Sequence, residues 1–217
     1  MELARKSDVI MNLKKIQRIK LKFNLVTVVR KRNRMRMVFK AGEEHKVAPN
    51  IVQRNFSPGK SITILSTDVT ELRYEQGQKA YLSAFKDLRT KEIVKYSLSP
   101  TPSLRLVIDG LPGLLSGLQK RSVIIHSDQG VQYTSGAFRS ILQHYGVKQS
   151  MSRRGNCLDN SPIESFFGHL KDEVDLKRCK NFKEVSKEIE KYMNYYNNDR
   201  PQWNLKQKTP AEARVKL

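Results

Sequence analysis

Two aspartates lie in stretches that are otherwise typical of buried β-strands. Asp68 falls in ITILSTDVTEL and Asp128 ends SVIIHSD, both rich in β-branched residues. If the two strands are neighbours, their carboxylates repel each other unless a proton or a cation lies between them. Because carboxylate oxygens suit hard divalent cations, the pair predicts a metal site. For either residue taken alone, a role in a turn or at a strand end is the alternative.

Glu164 supplies a third carboxylate, on a segment with the spacing of an amphipathic helix. The apolar residues of that segment recur every three or four positions: Ile163, Phe166, Phe167, Leu170 and Val174. Glu164 stands at the edge of this stripe, Gly168 follows one turn later, and Lys171 lies two turns away on the same side. A carboxylate, a gap and a cation along one helix edge suit a metal site that handles phosphodiesters. A carboxylate that only complements the helix dipole is the alternative.

The charge of the chain predicts a polyanionic partner. The sequence has 41 Lys and Arg against 21 Asp and Glu, a formal net charge of +20. Residues 1–60 alone hold 16 basic and 4 acidic residues, a local excess of 16 − 4 = +12. Such a concentration of positive charge favours nucleic acid as the partner.

Composition disfavours several other classes of protein. No apolar run approaches the roughly 18–20 residues of a membrane span, and the first residues lack the apolar segment of a signal peptide. Two cysteines, Cys157 and Cys179, give no disulfide framework and favour a reducing compartment. We therefore expect a cytoplasmic protein with no membrane partner.

The carboxylates must be brought together by a set of strands and helices. Composition and alternation predict strands over residues 61–72, 79–88, 92–99, 122–128 and 147–152. Helical spacing predicts helices over residues 10–24, 136–146, 160–175 and 181–198. Leucines favour a helix in residues 100–118, but the prolines and glycines there oppose a long one. This order predicts an α/β fold in which helices cover a sheet, preceded by a basic arm over residues 25–60.

Four stretches together resemble the transposases of bacterial insertion sequences, whose catalytic core is like that of retroviral integrases. They are TDVTEL, HSDQGVQYTS, RRGNCLDNSPIESFFGHLKDE and YYNNDRPQWNLKQKTPAEAR. In the same pattern as the family, 59 residues separate Asp68 from Asp128 and 35 separate Asp128 from Glu164. The lysine seven positions after the glutamate, Lys171, also matches. Leu65 stands where the family usually has tryptophan, a difference in the scaffold rather than in a ligand.

The resemblance implies a fold, a reaction and a set of partners. The fold is an RNase H-like mixed five-stranded sheet flanked by helices over residues 58–217, after a basic N-terminal helix and arm with a helix-turn-helix remnant over residues 1–57. Asp68, Asp128 and Glu164 would be catalytic and would hold two Mg²⁺ or Mn²⁺ ions. The reaction would be strand cleavage and strand transfer of DNA, by a homo-oligomer on element ends and target DNA.

The same resemblance places the protein in the bacterial cytoplasm, at the nucleoid when bound, beside an upstream reading-frame product that carries a helix-turn-helix. Two rival functions remain at this point. One is a metal-dependent nuclease that cuts without joining, and the other is a domesticated DNA-binding protein without activity.

Residues near the triad are candidates for contacts with DNA. They are Lys171, Arg153, Arg154, Asn156 and Asn160. For Lys171 the alternative is a solvated side chain. For Asn160 the alternative is capping of the helix. His126 either orients the metal ligands or packs in the core, and we expect Trp203 to pack the final segment against the core.

Overall fold

The computed structural model describes residues 12–25, 47–57, 59, 62–118, 122–154 and 156–215. Its centre is a five-stranded sheet in the order β3-β2-β1-β4-β5. The strands are β1 (Ile62–Tyr74), β2 (Gln78–Asp87), β3 (Ile93–Ser99), β4 (Ser122–Ser127) and β5 (Lys148–Met151). β1, β2 and β3 form an antiparallel meander, while β4 runs parallel to β1 and β5 parallel to β4. The mixed five-stranded sheet expected from the sequence is therefore confirmed.

Helices pack on both faces of this sheet. The helices of the described residues are α1 (Leu13–Lys22), which has no buried residue, α2 (Arg105–Ile108), α3 (Leu111–Ser116), α4 (Val131–Thr134), α5 (Gly136–His144), α6 (Ser161–Glu173), α7 (Phe182–Asn198) and α8 (Pro210–Val215). Short 3₁₀ segments occur at Cys157–Asn160, Leu176–Arg178 and Trp203–Leu205. In the stretch 100–118 the chain forms α2 and α3 rather than one long helix, and Pro112 lies in the first turn of α3. Among the described helices, none is long and apolar enough to cross a membrane.

The alternation of β1 divides the core into two layers. On one face, Leu72 and Leu82 pack with Ile163 and Phe166 of α6 and with Tyr196 of α7. On the other face, Leu65 and Ile125 pack against α3, α4 and α5. Because side chains alternate along a strand, the even-numbered residues of β1 face α6. Asp68 is one of them.

Residues 47–57 lie against the sheet. Val52 packs with Ile64 and Leu88, and the hydroxyl of Ser150 accepts hydrogen bonds from the backbone amides of Ile51 (2.9 Å) and Val52 (3.3 Å). Most of the arm expected over residues 25–60 falls outside the described residues. The domain boundary between residues 57 and 58 stays a prediction.

The expected packing of Trp203 is wrong, since its side chain is 83% exposed. Trp203 lies in a 3₁₀ turn that ends with left-handed backbone at Lys206 (φ 55°) and Gln207 (φ 66°). This turn closes a small loop through the bridge between Gln202 and Lys208, which leaves the indole outside. The final segment is instead fastened by Arg214, whose Nη1 lies 2.8 Å from Oε1 of Glu92.

Candidate active site

Asp68 and Asp128 follow the last residues that pair β1 with β4. These two strands are parallel, and the last pair in their register joins Ser66 to His126. Asp68 stands two residues later within β1, and Asp128 stands two residues later, just past the end of β4. Both are half-buried. Neighbouring strands lie roughly 4.8 Å apart, so we expect the two carboxylates to be close together.

Local backbone amides orient both carboxylates. Oδ1 of Asp68 accepts a hydrogen bond from the amide of Val69 (2.7 Å). Oδ1 of Asp128 accepts one from the amide of Gly130 (2.8 Å), which closes a short turn. A Cβ atom on Gly130 would lie 2.9 Å from this Oδ1. A larger residue at position 130 would therefore displace the carboxylate of Asp128.

The charges of Asp68 and Asp128 both affect the pKa of Tyr133. This residue of α4 is buried, and its hydroxyl lies 3.2 Å from Oγ1 of Thr67. Burial raises the pKa of Tyr133 well above its ordinary value, and the negative charges of Asp68 and Asp128 raise it further. Both carboxylates therefore act on one neutral phenol. Sequence reasoning missed Tyr133, although it lies five residues after Asp128 in a quoted motif.

Asn160 fastens the start of α6 to β1. Its side chain is 2% exposed, its Oδ1 accepts a hydrogen bond from Oγ of Ser66 (2.9 Å), and its Nδ2 lies 3.5 Å from the carbonyl oxygen of Thr67. Asn160 occupies the N-cap position of α6, yet its side chain makes no capping hydrogen bond. The capping interpretation is therefore wrong, because the amide is turned toward β1.

Lys86 provides a second attachment for the same helix. Its side chain is buried, and its Nζ donates to the carbonyl oxygen of Pro162 (3.1 Å) and lies 5.7 Å from the ring centre of Tyr196. Burial lowers the pKa of Lys86 to about 7, and the nearby charges of Lys91 and Arg200 act in the same direction. Sequence reasoning missed Lys86, because nothing distinguishes it from other lysines in a predicted strand.

Glu164 lies one turn after Asn160 on α6, and it is exposed. Four residues of α-helix advance about 6 Å, so its Cα stays near the part of β1 that carries Asp68. As the side chains stand, the described residues contain no group of three acidic, histidine or cysteine side chains close enough to hold a metal ion. Asp68 and Asp128 therefore lie near the ends of the paired strands β1 and β4, whereas Glu164 lies exposed on α6.

His126 belongs to a buried hydrogen-bond network. Its Nε2 donates to the carbonyl oxygen of Asp159 (2.8 Å), so its Nδ1 accepts from the hydroxyl of Ser150 (2.9 Å). Burial lowers the pKa of His126, which agrees with a neutral ring. These contacts support the packing interpretation of His126.

The residues proposed to contact DNA surround the site at different depths. Arg153 and Arg154 are exposed, while Asn156 and Lys171 are half-buried. The guanidinium of Arg153 is bound to Asp159, with Nε 3.0 Å from Oδ2. A Cβ atom on Gly168 would meet nothing within 4 Å, so the helix edge between Glu164 and Lys171 is open.

Solved structures define the class of fold. The chain is similar to the catalytic core domain of HTLV-2 integrase, a structure described as a complex with magnesium, with a TM-score of 0.55 and 21% identity over 69% of this chain and 94% of that one. It is also similar to a chain of the simian T-cell lymphotropic virus intasome, with a TM-score of 0.59 and 14% identity over 98% of this chain and 73% of that one. The fold is RNase H-like, as in retroviral integrase cores.

Sequence comparison identifies the family, which the similarity of fold does not. The integrase core domain family matches residues 59–157, and a second integrase core domain family matches residues 145–210. A transposase-like protein of Haemophilus influenzae is 40% identical over 80% of this chain and 81% of that protein. The InsK protein of insertion element IS150 from Escherichia coli is 41% identical over 80% of this chain, and the transposase of IS904 from Lactococcus lactis is 33% identical over 76%.

The chain belongs to the integrase-core family of insertion-sequence transposases. It spans 62% of the length of the InsK protein and 66% of the length of the IS904 transposase.

Proposed function

We propose that this chain is the catalytic core that cleaves DNA at the ends of an insertion element and joins the freed end to target DNA. The observation that carries the proposal is the parallel register of β1 and β4, whose last pair, Ser66 and His126, stands two residues before Asp68 and Asp128. Two like charges in a half-buried place favour a bound cation. Glu164 is the proposed third ligand.

The donor set fits divalent ions such as Mg²⁺ or Mn²⁺, since all three candidate ligands are carboxylates. Two bound ions would supply activation of the attacking oxygen and stabilisation of charge at the phosphorus. Within the chain, the amide of Gly130 holds one oxygen of Asp128, which fixes the orientation of the carboxylate.

Asn160 and Lys86 hold the first turn of α6 against the sheet. The backbone that carries Glu164 is thereby fixed, and the remaining adjustment is rotation of a long, exposed side chain. This arrangement supports a site that is completed when metal and DNA bind, with Glu164 turning toward the two aspartates.

DNA is the proposed polyanionic partner of the net charge of +20. Lys171, Arg153, Arg154 and Asn156 are the proposed contacts with its backbone. The contact proposed from sequence for Asn160 is better replaced by a positioning role, because its amide already bonds to β1. Binding through charge predicts a steep dependence on salt.

We also propose a domain organisation, an oligomeric state, a partner protein and a location for this chain. The core over residues 58–217 would follow a basic arm over residues 1–57 and act as a homo-oligomer on paired element ends. An upstream reading-frame product with a helix-turn-helix would supply sequence recognition. The protein would work in the bacterial cytoplasm, at the nucleoid.

The test is an assay with a labelled element-end oligonucleotide and a supercoiled target plasmid in Mg²⁺. The wild-type chain should give cleaved ends and joined products, and Asp128→Asn should give neither while keeping its fold and its affinity for DNA. Asp109→Asn is the matched control, because Asp109 is an exposed aspartate outside the site. Nicks without joined products would favour the nuclease, and an active Asp128→Asn would overturn the assignment.

A further inference from the structure

A groove of about 400 Å³ lies between residues 47–57 and the loop that follows β5. It is lined by Asn50, Gln53, Arg54 and Arg153. Among the described residues, the lining therefore consists of two guanidiniums, which only donate hydrogen bonds, and two amides, which donate and accept them, without a carboxylate.

A buried carboxylate below the groove holds both arginines. Asp159 is fully buried, and its Oδ1 lies 2.7 Å from Nε of Arg54. Its Oδ2 lies 3.0 Å from Nε of Arg153 and accepts from Nδ2 of Asn50 (3.1 Å). Hydrogen bonds from Arg153, with a smaller contribution from Arg54, hold the pKa of Asp159 well below its ordinary value. One negative charge therefore fixes two positive charges, and the cluster keeps a net positive charge.

Within the part of the chain that the structure describes, both guanidiniums retain further donors for a ligand. Each has five N–H groups, and the bonds to Asp159 use Nε of Arg54 and Nε and Nη2 of Arg153. The side chains of Arg54 and Arg153 are 42% and 62% exposed. A planar guanidinium held in place by a carboxylate suits the oxygens of a phosphate group.

The backbone of the groove is strained at two of its lining residues. Gln53 (φ 46°) and Arg54 (φ 64°) both adopt the left-handed region, which is unfavourable for residues other than glycine. Such strain concentrates at functional sites. The contacts of Arg54 with Asp159 and of Val52 with the sheet keep this conformation in place.

The groove adjoins the candidate active site. The carbonyl oxygen of Ser152, next to Arg153, accepts from Nε2 of Gln129 (3.0 Å), and the amide of Ser152 donates to the carbonyl oxygen of Ser127 (2.9 Å). Ser127 and Gln129 flank Asp128. The backbone next to Arg153 is therefore bonded to the loop that carries Asp128.

We propose that this groove binds a backbone phosphodiester of DNA through Arg54, Arg153 and Gln53, and so holds the strand beside Asp128. The inference takes its ligand from the proposed function. Residues 47–57 are thereby assigned a direct part in DNA binding.

The first experiment measures binding of a fluorescent DNA duplex by anisotropy at several salt concentrations, without divalent metal. Arg54→Gln should bind severalfold more weakly, and the slope of log K against log salt should fall by about 0.9 for the lost phosphate contact. Arg73→Gln is the matched control, since Arg73 is an exposed arginine paired with Glu71 at the far end of β1. An affinity and a slope equal to those of the control would overturn the proposal.

A second variant separates phosphate binding from a purely structural role of the arginines. Gln53→Glu adds a negative charge to the groove and leaves the ion pairs of Asp159 in place. It should weaken DNA binding without a change in Tm, whereas Gln143→Glu, at an exposed position on α5, should not weaken binding to the same extent. Equal binding by the two variants would contradict the proposal.

The readout keeps this inference separate from the proposed function. Binding without metal does not depend on the three carboxylates, so an active Asp128→Asn would contradict the catalytic assignment without affecting the proposed phosphate groove. Unchanged binding by Gln53→Glu and Arg54→Gln would contradict the phosphate groove without affecting the catalytic assignment.

Discussion

Two aspartate sites lie on the same side of the sheet and differ in what surrounds them. Asp159 is fully buried and bound by two arginines, so its charge is neutralised within the chain. Asp68 and Asp128 are half-buried, and the charges of both raise the pKa of Tyr133. An acid held by guanidiniums stabilises a loop, whereas two acids near one buried group suit a cation from outside. The predictions below test this difference.

The largest effect is expected at the pair of aspartates. Asp68→Asn should reduce strand cleavage about 10³-fold or more, because it removes one proposed metal ligand. The same change should leave the free energy of unfolding unchanged or raise it slightly, since a repulsion is lost. Single-turnover cleavage and urea unfolding measure the two quantities. A variant that unfolds more easily and still cleaves would reverse the interpretation of the pair.

Asp159→Asn should show the opposite pattern. Loss of the buried charge weakens the hydrogen bonds of two partly exposed arginines, and hydrogen bonds to a charged group contribute about 1.5–3 kcal/mol of stability. Urea unfolding should show this loss, while cleavage by the remaining folded protein should fall far less than in Asp68→Asn. The exposed pair of Arg178 and Asp175 provides the control, because Asp175→Asn should cost less than about 1 kcal/mol.

Asn160→Ala should affect both properties moderately. The hydroxyl of Ser66 and the carbonyl of Thr67 lose their partner, which costs about 1–3 kcal/mol in a buried place. Because this attachment positions the turn that carries Glu164, cleavage should fall as well, with little change in DNA affinity. Asn198→Ala, at an exposed residue of α7, should change neither. Full cleavage by Asn160→Ala would show that the attachment does not position Glu164.

Lys86 extends the comparison to a buried cation. Its Nζ donates to a carbonyl oxygen, which carries no full negative charge. The folded-state pKa of Lys86 is lowered from 10.5 to about 7, so the unfolded chain binds more protons between these pH values. The stability of the wild type relative to Lys86→Met should therefore rise with pH from about 7 to 10.5, by up to about 1.4 kcal/mol per unit. Urea unfolding of both proteins at pH 7.5 and pH 9 measures this difference. A constant difference would mean that the ammonium is not desolvated in the folded protein.

The sheet was predictable because its signals are local, since β-branched stretches marked the strands. The separations of Asp68, Asp128 and Glu164 matched a known family pattern, and their role as ligands stays a prediction. The length of the helix in residues 100–118 was limited by its prolines and glycines, as the two short helices confirm. Helices α4 and α8 were missed, because segments of four and six residues are too short to show a helical period.

The arginine cluster could not be predicted from the sequence. Arg54 and Asp159 are 105 residues apart, and no pattern marks either one. Arg54 looked like one more residue of a basic arm, and Asp159 looked like an acid near a helix start. The prediction for Trp203 was wrong because a large apolar residue was assumed to be buried, whereas a tight turn leaves its side chain exposed.

The position of Val52 and Arg54 determines where the chain can be shortened. A fragment that starts at residue 58, the boundary implied by the family resemblance, would lack Val52, which packs against Ile64 and Leu88. It would also leave the carboxylate of Asp159 with one arginine where it now has two. A fragment that starts at residue 47 retains these contacts, so it is the one to choose for crystallisation of the core.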